Sequence, residues 1–361
     1  MTSVVLAGGG TAGHTSPLIA TAAALQAAEP GIRLVCVGTA RGLETRVIPA
    51  AGLRLELITP VPLPRTLGLD LLKLPWRLVK SVREARAVIR DAGADVLVGF
   101  GGYVSIPAYL AAWSLRVPVV VHEANYLAGI SNKIGARFAA FVATTFRETR
   151  LRGAHLVGMP MSATITHPVV TAAEARRGFG LDTDRPTLLV SGGSQGAVSI
   201  NGAVTGAVDR LLDAGVQVLH VLGPKNFGAG TVPRASVTGA RYVPVAFVDD
   251  MATAYAAASL MLARAGAATV METATSGLPV IFVPLPWGNG EQSRNAAQLV
   301  AAEAGVLLDE SELSADKLVE LVVPLITDPG RLSRMSEAAR RQYPADAAEA
   351  LAAATLDVTR K

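Results

Sequence analysis

The chain opens the same way twice. Val4-Val5-Leu6-Ala7 is an apolar run that leads into the glycine loop Gly8 to Gly13 and then into an alanine-rich stretch reaching about Ala28. Near residue 187 the pattern recurs. Thr187-Leu188-Leu189-Val190-Ser191 is followed by Gly192-Gly193-Ser194-Gln195-Gly196-Ala197, and then by a helical stretch from Ile200 to Leu212. A strand that is apolar on both faces must be covered on both, and strand, tight turn and helix in alternation achieve this for a parallel sheet. Two such openings in 361 residues, a length that already favours two cores, predict two α/β domains. Further strands are expected at 34–38, 53–58, 96–99, 117–121, 142–145 and 155–157, and in the second half at 216–222, 241–243, 260–263, 280–283 and 306–308. Residues 158–168 hold two prolines and little periodicity and read as the linker. A helical tail, 331–359, breaks near Pro344; it has no strand of its own to cover and is expected to cross back to the first domain. The expected division is 1–160, 161–340 and a returning helix, 341–361. Pro17 and Pro75 are each expected to open a helix, where a missing N–H costs nothing.

The bulk numbers exclude several classes. The balance of 33 basic against 29 acidic residues, a net +4, does not call for nucleic acid, but it suits a weakly basic face against an anionic membrane. The lone Cys36 lies in an apolar run and reads as a core residue of a reducing compartment. The first apolar run has no basic lead and meets glycines at once, unlike a signal peptide. No apolar stretch approaches the roughly 20 residues that span a bilayer. A cytoplasmic protein able to touch a membrane is expected.

Gly8, Gly10 and Gly13 satisfy G-x-G-x-x-G between a strand and a helix, where backbone can approach a phosphate. A dehydrogenase also needs an acid at the end of the next strand to hold a ribose. That strand ends Gly38-Thr39-Ala40-Arg41, with no acid. Arg41 suits a 2′-phosphate, so an NADP-dependent oxidoreductase stays open, as does a non-catalytic nucleotide-sugar binding protein. In the second half Ser194 can donate to a phosphate. The stretch Arg264-Ala265-Gly266-Ala267-Ala268-Thr269 starts another helix whose free amides suit an anion, and Glu272 can accept from ribose hydroxyls. Gln292 and Asn295, beyond the loop 284–290, offer amides to sugar hydroxyls. Gly101-Gly102-Tyr103 and His122-Glu123-Ala124-Asn125 follow parallel strands, where α/β ligands bind, and His14, Glu123 and Asn125 are expected to line one cleft. Each feature also has a plain structural reading: the loops as tight turns, Glu272 as a partner of its helix dipole. The five histidines are scattered without ligand spacing, so no metal is expected. Asp249-Asp250 reads as a cap for a helix near Met251.

Taken in order, Gly8 to His14 with Pro17, Gly101 to Ser105, His122 to Asn125, Gly192 to Ala197, and Arg264-Ala265-Gly266 with Thr269 and Glu272 are motifs of a known family. The chain resembles, over nearly its whole length, the MurG family of bacterial N-acetylglucosaminyltransferases of peptidoglycan synthesis. The resemblance implies an α/β GT-B fold, two Rossmann-like parallel-sheet domains facing a cleft. It implies inverting transfer of GlcNAc from UDP-GlcNAc to the muramyl 4-hydroxyl of lipid I, giving lipid II, with no cofactor or metal. Carried over by position, Ser194, Val248 (through its backbone), Ala267, Ala268, Thr269 and Glu272 hold UDP, and Thr11, Ala12, Gly13, Asn125 and Gln292 lie near the diphosphate and GlcNAc. Ser162 stands where the family often has an arginine in contact with the donor, and Glu291 where it often has a glutamine. His14 is the expected base and Glu123 the alternative. A lipid acceptor implies work at the cytoplasmic face of the cell membrane, with cell-wall synthesis proteins as possible partners. The expected membrane patch is Leu72, Trp76, Val79 and Lys80, beside Arg77 and Arg83.

Overall fold

The computed structural model describes residues 1–40, 42–61, 69–228, 230–287 and 289–360; the side chains of 12 and 69–73 fall outside that description. It comprises two compact units, Met1–Ser162 with Pro344–Lys361, and Ala163–Tyr343.

The first unit runs β1 (Ser3–Gly8), α1 (Ala12–Ala28), β2 (Arg33–Gly38), α2 (Glu44–Ala50), β3 (Arg54–Leu57), α3 (Leu69–Ala92), β4 (Val96–Gly101), α4 (Ser105–Leu115), β5 (Val119–Glu123), α5 (Ile130–Gly135), β6 (Phe141–Thr144) and β7 (Ala154–Leu156). Among the described residues its strands form one parallel sheet in the order β3-β2-β1-β4-β5-β6-β7. Alternate side chains of β1 serve opposite cores. Val5 and Ala7 pack with Ala85 and Ile89 of α3 and Ala108 and Tyr109 of α4, while Val4 and Leu6 pack with Leu18, Ala22 and Leu25 of α1 and Ile48 of α2. The order of connection reverses between β1 and β4, so the loops leaving these neighbours diverge and open a crevice at their carboxyl ends.

The second unit runs α6 (Ala163–Thr166), α7 (Ala172–Gly178), β8 (Thr187–Ser191), α8 (Val198–Asp213), β9 (Gln217–Val221), β10 (Arg234–Ala235), β11 (Arg241–Val245), α9 (Met251–Ala257), β12 (Leu260–Ala263), α10 (Ala267–Ser276), β13 (Val280–Phe282), α11 (Glu291–Ala301), β14 (Gly305–Leu307), α12 (Ala315–Ile326) and α13 (Pro329–Arg340). Its sheet order is β10-β11-β9-β8-β12-β13-β14, with only the two-residue edge strand β10 antiparallel among the described residues. Its switch point lies between β8 and β12. The chain then returns to the first unit as α14 (Ala347–Thr359), whose Leu351, Ala352 and Leu356 join the core beneath α1.

Three local expectations are corrected. Pro17 does not open α1, which starts at Ala12: the Thr11 carbonyl already accepts from the His14 and Thr15 amides, so Pro17 removes one bond from a helix under way. Pro75 likewise lies inside α3, not at its start. The strand expected at 117–121 begins two residues later, because Pro118 has no amide to give the ladder; its carbonyl accepts from Leu97 at 2.9 Å. That shift carries His122 and Glu123 into the buried end of β5.

Candidate active site

In the first unit the glycine loop is held from below by a residue outside every motif. Glu44, the first residue of α2, is fully buried. Its Oε2 accepts from the Gly10 amide at 2.8 Å, and its Oε1 from the Thr39 amide at 3.0 Å and hydroxyl at 2.9 Å. Burial pushes this carboxyl up, but the donated bonds outweigh it and hold it below the ordinary glutamate value. The acid missing from the end of β2 is therefore present one turn later, aimed at the loop instead of at a ribose. In a dinucleotide loop the second glycine lets backbone approach the pyrophosphate. Here the amide of that glycine is taken by a carboxylate, and the oxidoreductase reading fails on geometry. Arg41 lies outside the described residues.

His14 sits in the first turn of α1. Its Nδ1 is 3.1 Å from the Gly9 carbonyl and 3.3 Å from the Thr11 hydroxyl. A carbonyl only accepts, so the neutral ring carries its proton on Nδ1 and keeps a lone pair on Nε2. Burial lowers the His14 pKa, against an upward pull from Glu123, the Gly9 carbonyl and Glu44. Gly101 and Gly102 close on the ring with φ of +96° and +82°. A Cβ on Gly101 would sit 3.2 Å from His14 Nε2, and one on Gly102 2.5 Å from the Gly9 carbonyl oxygen, so both positions need glycine.

Glu123 is buried with every oxygen engaged. Oε1 accepts from the Asn125 amide, and Oε2 from the Gly129 amide and Asn132 Nδ2, each at 2.9 Å. Asn132, which lies outside the sequence motifs, is itself oriented by the Tyr109 hydroxyl, which donates to its Oδ1 at 2.7 Å. Glu123 thus organises the loop carrying Asn125. His122 is buried with Nε2 2.9 Å from the Gly158 carbonyl, and burial pushes its pKa down to about 4. Thr11, Ala12, Gly13 and His14 follow β1, and Asn125 follows β5, at the carboxyl edge of one sheet. Ser162 is exposed and is the last residue of this unit before the chain crosses.

In the second unit α10 starts without a side-chain cap on Gly266, and its first return bond is Val270 to the Gly266 carbonyl at 3.0 Å. The amides of Ala267, Ala268 and Thr269 have no earlier carbonyl in the helix to bind and point off its positive end. Beside it, across the β8–β12 pair, is the loop bearing exposed Ser194. That loop runs close against the end of β9: a Cβ on Gly196, at φ +75°, would meet the Leu222 carbonyl oxygen at 1.9 Å, so the position needs glycine. Val248 lies half-buried after β11. Glu272, in the second turn of α10, accepts from the Tyr255 hydroxyl of α9 at 2.6 Å. Burial lifts its pKa to about 7, with the tyrosine hydrogen bond pulling back.

Two expectations about amides change. Asn295 is buried and donates from Nδ2 to the Ala265 carbonyl at 3.2 Å, so it holds backbone and does not face a sugar. Gln292 Oε1 accepts from the Ala265 and Leu285 amides at 3.2 and 3.1 Å, leaving only its NH₂ to offer a ligand. Arg264 has a larger part than its place in a motif suggests. Its buried guanidinium donates to the Val283 and Pro284 carbonyls at 3.1 and 3.2 Å, to Ser199 Oγ at 3.0 Å and to the Glu310 carboxylate, tying the ends of β12 and β13 to α8 and to the segment after β14.

On α3, Trp76 is 80% exposed and Val79 and Lys80 are also exposed, while the Leu72 side chain falls outside the description. Lys80 Nζ is 3.8 Å from Glu84. Trp113, on the adjacent α4 and unremarked in the sequence, is 63% exposed. Among the described residues no helix is long and apolar enough to cross a membrane.

Residues 4–144 match the glycosyltransferase family 28 N-terminal domain, and residues 187–351 match the glycosyltransferase family 28 C-terminal domain. The chain belongs to glycosyltransferase family 28. Among family 28 relatives, a Cutibacterium acnes protein is 56% identical over 98% of this chain and 96% of its own, and one from Nocardioides is 52% identical over 98% of each. Both are named UDP-N-acetylglucosamine–N-acetylmuramyl-(pentapeptide) pyrophosphoryl-undecaprenol N-acetylglucosamine transferase. The crystal structure of Acinetobacter baumannii MurG aligns with a TM-score of 0.74 at 27% identity, covering 99% of this chain and 100% of that one. The calicheamicin glycosyltransferase CalG4 aligns at 0.69 with 17% identity over 99% of this chain and 97% of its own, a likeness of fold alone. The two Rossmann-like units of this family 28 chain are those of the GT-B fold.

Proposed function

We infer that the protein transfers GlcNAc from UDP-GlcNAc to the muramyl 4-hydroxyl of lipid I, with inversion, and so makes lipid II for peptidoglycan. The observation that carries this reading is the uncapped start of α10 with Glu272 one turn behind it, in a chain so like the named transferases from end to end. The second unit is the donor half. The Ala267, Ala268 and Thr269 amides and Ser194 receive the diphosphate, Glu272 the ribose hydroxyls and the Val248 backbone the uracil. The first unit is the acceptor half, and the roles proposed for Thr11, Ala12, Gly13 and Asn125 are contacts with the sugar and diphosphate; Gln292 offers an NH₂ donor, and Ser162 is the residue before the chain crosses to the second unit.

Inversion needs the acceptor oxygen to attack the anomeric carbon opposite UDP. As the glycosidic C–O bond breaks, charge builds on the leaving diphosphate, where preorganised amides are most effective. His14 Nε2 takes the proton of the attacking hydroxyl, and its hydrogen bond to Gly9 keeps that nitrogen free to accept it. Glu123 acts by holding the loop and by its charge near the imidazole. The exposed Trp76 and Val79 and the basic residues of α3 suit peripheral contact with anionic lipid at the cytoplasmic face, where the lipid acceptor would be met.

The test is UDP release from UDP-GlcNAc with and without a soluble lipid I analogue. Release that depends on the analogue, with His14→Ala abolishing turnover at saturating acceptor, is expected. UDP release at the same rate without acceptor, or binding without any release, would overturn the transfer. Chelator should leave the chemical step unchanged.

A further inference from the structure

Glu44 belongs to no motif, touches no expected ligand and yet is one of the most completely enclosed charges in the first unit. The space around it is made by glycines. A Cβ built on Gly9 would lie 2.5 Å from Glu44 Oε1, one on Gly38 2.6 Å from Glu44 Cγ, and one on Gly42 closer still to Oε2. Three glycines, one on the loop after β1, one at the end of β2 and one between β2 and α2, therefore forgo side chains around one glutamate. That carboxylate bridges the end of β2, through Thr39, to the Gly10 amide in the middle of the loop. Gly10 stands at φ +90°, with nothing within 4 Å of where its Cβ would be, so the loop's own packing does not hold it there. One residue before Gly10 is the carbonyl that sets the His14 tautomer, and a Cβ on Gly102 would meet that same carbonyl oxygen at 2.5 Å.

We propose that Glu44 is a positioning residue for His14: it locks Gly10 to β2, and so fixes the direction of the Gly9 carbonyl that holds the imidazole with Nε2 toward the reaction. The proposal rests on the reading of His14 as base. It has two consequences. The Gly10 amide is turned inward to the carboxylate and is not offered to an anion. The Glu44 charge also adds to that of Glu123 in supporting protonation of His14, with His122 the other titratable ring that interacts with it.

The experiment compares Glu44→Ala, Glu44→Gln and His14→Ala in the full chain, reading kcat, KM for donor and acceptor, and the His14 imidazole by NMR titration. A misplacement near 1 Å costs about 100-fold in rate, so Glu44→Ala should lose kcat on that order while the donor KM stays within about twofold. Glu44→Gln keeps one accepting oxygen and should recover part of the loss, with the His14 titration moved to lower pH because the charge is gone. If His14→Ala is inactive while both Glu44 variants keep wild-type kcat and His14 titration, the proposal is overturned and the base assignment stands. If His14→Ala keeps its turnover, the base assignment falls and the proposal with it. Should Glu44→Ala fail to fold, the Gln variant decides alone: an unmoved His14 titration and kcat would overturn the proposal.

Discussion

Donor binding should expel a proton near neutral pH, and Glu272 is the source. Its burial lifts the carboxyl to about 7, and the Tyr255 hydroxyl donates to it at 2.6 Å. Ribose hydroxyls can donate to the ionised form, so binding draws the carboxyl down and releases its proton. With a pKa of about 7, roughly one-tenth of the free protein is protonated at pH 8 and nine-tenths at pH 6. If only the carboxylate holds ribose, the dissociation constant for UDP-GlcNAc rises about tenfold from pH 8 to pH 6. The donor's diphosphate diester stays ionised across that range and contributes nothing to the slope. Calorimetry at pH 7 in two buffers of different ionisation enthalpy counts the released proton directly, and about half a proton per donor is expected. Glu272→Gln should bind more weakly but without the slope or the proton. Tyr255→Phe removes a donor to the carboxylate, so the transition should move to higher pH. A dissociation constant that is flat from pH 6 to 8, or the same proton count in Glu272→Gln, refutes the reasoning.

Arg264→Met should strand the Glu310 carboxylate and two carbonyls, costing about 3–5 kcal/mol in denaturant titrations and weakening donor binding with it. Gly102→Ala forces a side chain into φ +82° and onto the Gly9 carbonyl, so it should cost about 1–3 kcal/mol and reduce kcat with little change in donor KM. Burial holds His122 and His220 at about 4, well below the ordinary 6.5, so folding favours their neutral rings. Their stabilisation is complete above pH 6.5 and is lost as pH falls from 6.5 to 4, about 3 kcal/mol each, which denaturation midpoints at pH 7 and 4.5 should register. Trp76→Ser with Lys80→Glu should reduce cosedimentation with anionic vesicles and leave turnover on a soluble acceptor intact; unchanged sedimentation would remove the membrane face from α3.

The strands and glycine junctions were legible because their signals are local. An apolar run of four or five residues followed by glycine is read from neighbours alone, and β1 and β8 fall where that pattern puts them. What sequence could not disclose is which polar groups meet after folding. Glu44 looks like any acid at a helix start, Asn295 like a ligand amide and Arg264 like a motif letter, until folding brings their partners together at the strand ends. Tyr255 and Glu272 lie 17 residues apart on separate helices, with no periodicity to connect them. The two prolines misled for a related reason: propensity marks where proline is cheapest, while the loop before α1 had already begun the helix.

The return of α14 to the first unit has a consequence for biosynthesis. Leu351, Ala352 and Leu356 cover apolar surface that Leu18, Leu25 and Phe100 present from the first hundred residues made. All of Ala163–Tyr343 must be translated in between, which at the usual elongation rate takes roughly 10–40 s. During that interval the nascent first half carries an unfinished oily flank while the second half is free to close as an insert. Loss of the last dozen residues should therefore harm the half of the molecule made earliest, and a stalled or truncated product should attract chaperones at its amino-terminal end.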